Sequence, residues 1–163
     1  MADNDTPQPA STAGNEAQPR FAALGQYIRD LSVENPNAPA SLQPQQSQPQ
    51  IDININVLAN KGGDTDYEVQ LKLETKASSG ETTLFMIELT YAGVFRIENI
   101  PSDQLQLFVM VEAPRFLFPF AREIIANATR QDGFPPLMID PVDFLSLYRQ
   151  RMNQAQAEAQ GQA

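Results

Sequence analysis

The chain of 163 residues has no cysteine, no histidine and no tryptophan, and its only lysines are Lys61, Lys72 and Lys76. Without cysteine there is neither a disulfide nor a thiol nucleophile. Without histidine there is no imidazole base, and the usual zinc ligands are gone. Serine and threonine are present, but the histidine that would activate them is not. The lysines fall on strand or turn positions that read as exposed, which leaves a Ser–Lys pair without a sheltered base. Gly62-Gly63 sits in a turn with no helix behind it, so no phosphate loop is present. The carboxylate pairs Asp64/Asp66 and Asp140/Asp143 match no calcium-loop spacing and read as turn charges and helix caps. The inventory argues against an enzyme, a small hydrolase included, and against a bound cofactor or metal.

Basic charge is also scarce. Eleven Lys and Arg face twenty Asp and Glu, a net charge of −9. With no basic cluster, nucleic acid and anionic membrane surfaces are poor partners. No stretch approaches the length of a membrane span, and the N-terminal residues lack the charged start and apolar run of a secretory signal. A cysteine-free chain suits a reducing compartment. The expectation is a soluble, acidic, cytoplasmic protein. Residues 1–19 and 153–163 contain no Leu, Ile, Val or Phe, too little apolar surface to offset the entropy of ordering them. Both read as disordered tails around a single domain at residues 20–152.

Within that domain the hydrophobic period is first two, then close to four. In 21–34, Tyr27, Arg29, Leu31 and Val33 alternate with Ile28, Asp30, Ser32 and Glu34, which places Asp30 and Glu34 on one strand face. Residues 35–50 hold four prolines and five glutamines and read as an extended connection. In 51–59, Ile51, Ile53, Ile55 and Val57 oppose Asp52, Asn54 and Asn56. In 67–77, Tyr67, Val69, Leu71 and Leu73 oppose Glu68, Gln70, Lys72, Glu74 and Lys76. Residues 82–100 form a long strand in which Gly93 is expected to mark a bulge or bend. Short turns at 60–64 and 78–81 predict an antiparallel meander, buried on one face and wet on the other. Residues 104–112 are apolar nearly all round, as in a helix buried on several sides or in a subunit interface. Ala113–Arg115 is expected to interrupt before a helix over 116–130, in which Pro119 must sit near the first turn. Asp140 is the expected cap of an amphipathic helix over 142–152. Strands followed by helices mean an α+β fold. Phe116, Leu117, Phe118 and Phe120, with Leu105, Leu107, Phe108, Val109 and Met110, exceed what one small sheet face covers, so an oligomer interface or an apolar binding surface is expected.

Five segments resemble the bacterial SecB export chaperones: YIRDLSVENPNAP (27–39), YEVQLKLETKA (67–77), FMIELTYAGVFRI (85–97), RFLFPFARE (115–123) and GFPPLMIDPVDFLSLY (133–148). They lie in family order along a stretch of about 120 residues, and the Gln- and Pro-rich connection and tail resemble α-proteobacterial members. The resemblance implies a four-stranded antiparallel sheet with helices packed on one face, assembled as a homotetrameric dimer of dimers. It implies a cytoplasmic holdase that binds unfolded precursor proteins, keeps them translocation-competent and delivers them to the SecA motor, with no nucleotide or other cofactor. SecA-binding positions carry over to Asp30, Glu34, Met86 and Glu88. Client-binding positions carry over to Leu42, Phe85 and Tyr148, with Leu42 and Tyr148 in place of phenylalanine. Gln46 stands where other members have tryptophan, and beyond Met152 only Glu158 is charged. Leu105, Leu107, Phe108 and Val109 are the expected interface residues. A chaperone of a toxin–antitoxin system and a purely structural oligomer remain as alternatives.

Overall fold

The computed structural model describes residues 17–161. Strands β1 (Arg20–Glu34), β2 (Gln50–Lys61), β3 (Asp66–Ser79) and β4 (Thr82–Glu98) form one antiparallel sheet in the order β1-β4-β3-β2. The meander runs only from β2 to β4. β1 pairs with β4, so residues 35–49 carry the chain from one sheet edge to the other. That connection is not wholly extended. A 3-10 turn at Ala40–Leu42 buries Ser41, whose hydroxyl donates to Asn35 Oδ1 at 2.6 Å. The local bond lets a polar side chain leave water within a proline-rich segment.

Cross-strand register assigns the faces, because directly opposed residues point the same way. Val57, Val69, Leu71, Leu73, Ile87, Leu89, Tyr91, Phe95 and Ile97 form the sheet's side of the core. β1 departs from the expected alternation. Two register shifts, at Ala23/Gly25 and Ile28/Asp30, each insert an unpaired residue and reverse the parity of the strand. Ile28 consequently opposes Tyr91 on the core side with Leu31 and Val33, while Tyr27 joins Asp30, Ser32 and Glu34 on the open face. Gly93 is no bulge: it pairs in register with both Gln26 and Val69. A Cβ there would stand 2.9 Å from the Phe95 ring and 3.0 Å from Leu117 Cδ2. Glycine is needed for the close approach of a helix to the sheet.

The helical part begins with α1 (Ser102–Leu107), continues through a π-helical turn (Phe108–Glu112) and runs into α2 (Ala113–Gln131). The expected interruption at 113–115 is absent, and Pro119 lies inside α2 on an exposed turn. Proline there removes one helical donor, and burial of Leu117, Phe118, Ala121 and Ile125 across β3 and β4 outweighs that loss. Val109 is only 7% exposed, because the π turn rolls it onto the core. Helix α3 (Phe144–Gly161) starts later and ends later than expected. Asp143, not Asp140, caps it: its carboxylate accepts from the Ser146 backbone N–H at 3.0 Å and from the Ser146 hydroxyl at 2.8 Å. Residues 153–161, expected as tail, continue the helix with their side chains exposed. Alanine, glutamine and glutamate favour helix without any packing surface. The expected N-terminal tail lies outside the described residues except for 17–19, an exposed lead-in. Among the described residues no helix is long and apolar enough to cross a membrane.

Candidate functional site

The face of the sheet turned away from the helices carries three successive cross-strand rows. Glu34, Met86, Lys76 and Asp52 form the first; Ser32, Glu88, Glu74 and Asn54 the second; Asp30, Thr90, Lys72 and Asn56 the third. Asp30, Glu34, Met86 and Glu88 are thus brought onto one face of two paired strands, with Glu34 directly opposite Met86. Glu88 stands opposite Glu74, a like-charge pairing that costs stability unless a cation intervenes. Lys72 supplies it, with its ammonium 2.8 Å from Glu74 Oε1, and Asn54 donates to Glu74 Oε2 at 3.1 Å. The bonds from Lys72 and Asn54 hold the Glu74 carboxyl below its ordinary range, and the same contact raises Lys72.

At the other end of this face the charges are satisfied internally. Arg96 forks onto both oxygens of Asp66 at 2.8 and 2.9 Å. The Tyr27 hydroxyl and Arg29 both donate to Glu68 Oε1, at 2.6 and 2.7 Å. Those bonds hold Glu68 low, with the Tyr27 hydroxyl the larger influence, and hold Asp66 low through Arg96. By contrast, Asp30, Glu34 and Glu88 take part in no salt bridge among the described residues. The open face is therefore divided into a self-paired end and an end with uncommitted negative charge.

The three expected client contacts are not gathered at one spot. Leu42 is 48% exposed and rests on Gly133, whose Cβ, if present, would lie 2.7 Å from Leu42 Cδ2. Phe85 is only 5% exposed, since its ring packs against Phe134 with centroids 5.0 Å apart. Tyr148 lies on the first turns of α3 and lines a cavity of about 240 Å³ with Val57, Met110, Phe144 and Met152; neither Leu42 nor Phe85 lines it. Of the expected interface residues, Leu105 and Phe108 pack partly against the core, Leu107 is 39% exposed, and Val109 faces inward. Large apolar side chains also remain exposed along β1 (Leu24, Ile28, Leu31, Val33), on β2 (Ile51, Ile53) and on α2 (Phe116, Phe120). The described residues contain no cluster of three or more Asp or Glu arranged to hold a metal ion.

The family model for preprotein translocase subunit SecB matches residues 14–155. The chain belongs to the SecB family. It is 60% identical over 144 residues to the protein-export protein SecB of Rhodopseudomonas palustris (strain TIE-1), covering 88% of this chain and 92% of that one. It is also 60% identical over 154 residues to the protein-export protein SecB of Afipia carboxidovorans, covering 94% and 95%. Among solved structures, a SecB-like chaperone from Mycobacterium tuberculosis, in complex with an antitoxin peptide, shares the fold with a TM-score of 0.62 at 14% identity, over 76% of this chain and 91% of that one. A chaperone role in Sec-dependent protein export follows from membership and from the export-protein relatives, and the toxin–antitoxin alternative is not favoured.

The residue-by-residue reading of the SecB signature missed two features. Gly133 and Phe134 stand between Leu42 and Phe85; the signal available was the Gly-Phe-Pro-Pro sequence at 133–136. Arg151 reaches from α3 to the backbone of β2, where its Nη2 donates to the Ile55 carbonyl at 2.8 Å. The two residues are 96 positions apart, and no local pattern announces that contact.

Proposed function

We propose that this SecB-family chain holds unfolded precursor proteins on the apolar side of its sheet and helices, and passes them to SecA through the open acidic face. It does so in the cytoplasm as a dimer of dimers. One observation carries the reading: a single sheet has an open face with uncommitted carboxylates at one end and, on its other side, more exposed apolar surface than one protomer covers. Asp30, Glu34 and Glu88, with Met86 among them, suit a basic module, for which complementary charge sets encounter rate and register more than affinity. Leu42 and Tyr148 mark two separated stretches of the client surface, with Phe85 as buried floor beneath Phe134. Separated stretches suit a long chain that binds at several points, each weak and strengthened by linkage. The exposed strip on β1 and the strip formed by Leu107, flanked by Leu105 and Phe108, give two distinct self-association surfaces, as a dimer of dimers requires. Val109, turned inward, belongs to neither.

Light scattering of the purified protein, with and without a permanently unfolded chain, tests both parts. The expected free mass is about 72 kDa, four times 18.0 kDa, rising by the mass of the added chain. A monomer at micromolar concentration overturns the assembly, and an unchanged mass with the unfolded chain overturns the holdase reading.

A further inference from the structure

β2 is a terminal strand of the sheet, twelve residues long, with Ile51 and Ile53 exposed. Proteins seldom leave an edge of that kind uncovered, because its free N–H and C=O groups invite another strand. Here one edge acceptor is already taken: the Ile55 carbonyl receives Arg151 Nη2 at 2.8 Å. The guanidinium lies midway along β2. It also lines a polar cavity of about 290 Å³ with Asn54, Asn56, Lys72 and Glu74, so it reaches around the edge towards the open face.

The attachment is readily reversible in chemical terms. Arg151 makes no salt bridge among the described residues, and a guanidinium has five donors, of which this contact uses one. Among the described residues this is also the one side-chain hydrogen bond between α3 and the sheet. The start of α3 is anchored separately by Phe144, 1% exposed, while 153–161 are exposed. The Arg151 side chain can therefore swing off the Ile55 carbonyl while Phe144 keeps the start of α3 in the core.

We propose that Arg151 is a gate on the outer edge of β2: docked on the Ile55 carbonyl it blocks addition of an extended strand, and released it opens that edge to one. The occupant is an extended segment of an unfolded chain, so the inference rests on the holdase reading. Such a segment brings backbone N–H groups that replace the Arg151 donor one for one. Ile51 and Ile53, exposed on one side of the strand, with half-buried Ile55 in line, offer it an apolar side regardless of its sequence.

The test compares the full-length protein with Arg151→Ala and Arg151→Lys, each titrated with two labelled peptides. One peptide alternates apolar and polar residues. The other has proline at successive positions, so that neither of its edges can donate to a strand ladder. Arg151→Ala is expected to bind the first peptide about three- to tenfold more tightly, the scale of one competing hydrogen bond removed. It gains nothing for the proline peptide, and Arg151→Lys, which keeps a donor, stays near the parent. Equal affinity of parent and Arg151→Ala for the first peptide, or an equal gain for both peptides, overturns the gate alone. No binding of either peptide by any of the three proteins overturns the holdase reading and the gate with it.

Discussion

Replacing Gly93 with alanine tests how closely α2 is held against the sheet. The added Cβ would lie 2.9 Å from Phe95 Cε2 and 3.0 Å from Leu117 Cδ2, against about 3.5–4.0 Å for comfortable carbon contact. Neither neighbour has room to retreat. Both are fully buried, and the Phe95 ring is stacked on Phe21 at 5.2 Å and edge-on to Phe116 at 5.9 Å. Forcing an extra carbon into such a core costs about 1–3 kcal/mol. Stiffening the unfolded chain returns about 0.4–1 kcal/mol. The net expectation is a loss of about 1–2 kcal/mol. It is measured by urea unfolding at one fixed protein concentration, because assembly adds concentration-dependent stability. Gly25→Ala is the control: nothing lies within 4 Å of its Cβ, and its effect should stay within about 0.5 kcal/mol. In a Leu117→Ala background the cost of Gly93→Ala should shrink, since the two side chains compete for one space. A Gly93→Ala protein within about 0.5 kcal/mol of the parent would refute the close approach of helix and sheet.

Glu34→Lys and Glu88→Lys should each weaken SecA binding at low salt while leaving the unfolding midpoint nearly unchanged, with affinity read by calorimetry and the fold by circular dichroism. Unchanged affinity in both variants removes these residues from the site. Asp143→Ala should lower amide protection in the first turn of α3 by hydrogen exchange, whereas Asp143→Asn, an equally good cap, should retain it. The bond from the Ser146 backbone N–H holds the Asp143 carboxyl below its ordinary value. Its contribution is therefore fully present above the usual aspartate range and is lost as pH falls through the depressed folded-state value. The asparagine variant should not show that acid loss, and an identical acid profile for both would count against the cap.

The sequence by itself determined the α+β order, the meander of β2, β3 and β4, and the polar and apolar faces of those strands. Each depends on the two-residue period of a strand, which neighbouring residues set. The alternation in 67–77 is therefore matched by the register, from Tyr67 opposite Phe95 to Ala77 opposite Phe85. The absence of histidine and cysteine likewise needed no coordinates to restrict the chemistry. The resemblance of five short segments sufficed for the family, because side-chain identity at those positions survives whatever the local geometry does.

What tertiary structure decided lies where distant segments meet. Parity in β1 reverses because each bulge is a compromise with β4, a partner more than fifty residues away, and no period within 21–34 encodes it. Gly93 reads as a bend in sequence and proves to be a clearance for Leu117, since a glycine states only that a side chain is unwelcome. Pro119 inside α2 and the inward turn of Val109 follow from packing across the sheet, which overrides local helix rules. Phe85 is aromatic and an expected client contact, yet Phe134 packs over it. Arg151 is an ordinary charge on an amphipathic helix until α3 docks beside β2, and only then does its guanidinium meet the Ile55 carbonyl. Periodicity can say which way a side chain points within its own element, but a contact requires two elements, and their relative placement is a property of the packed core.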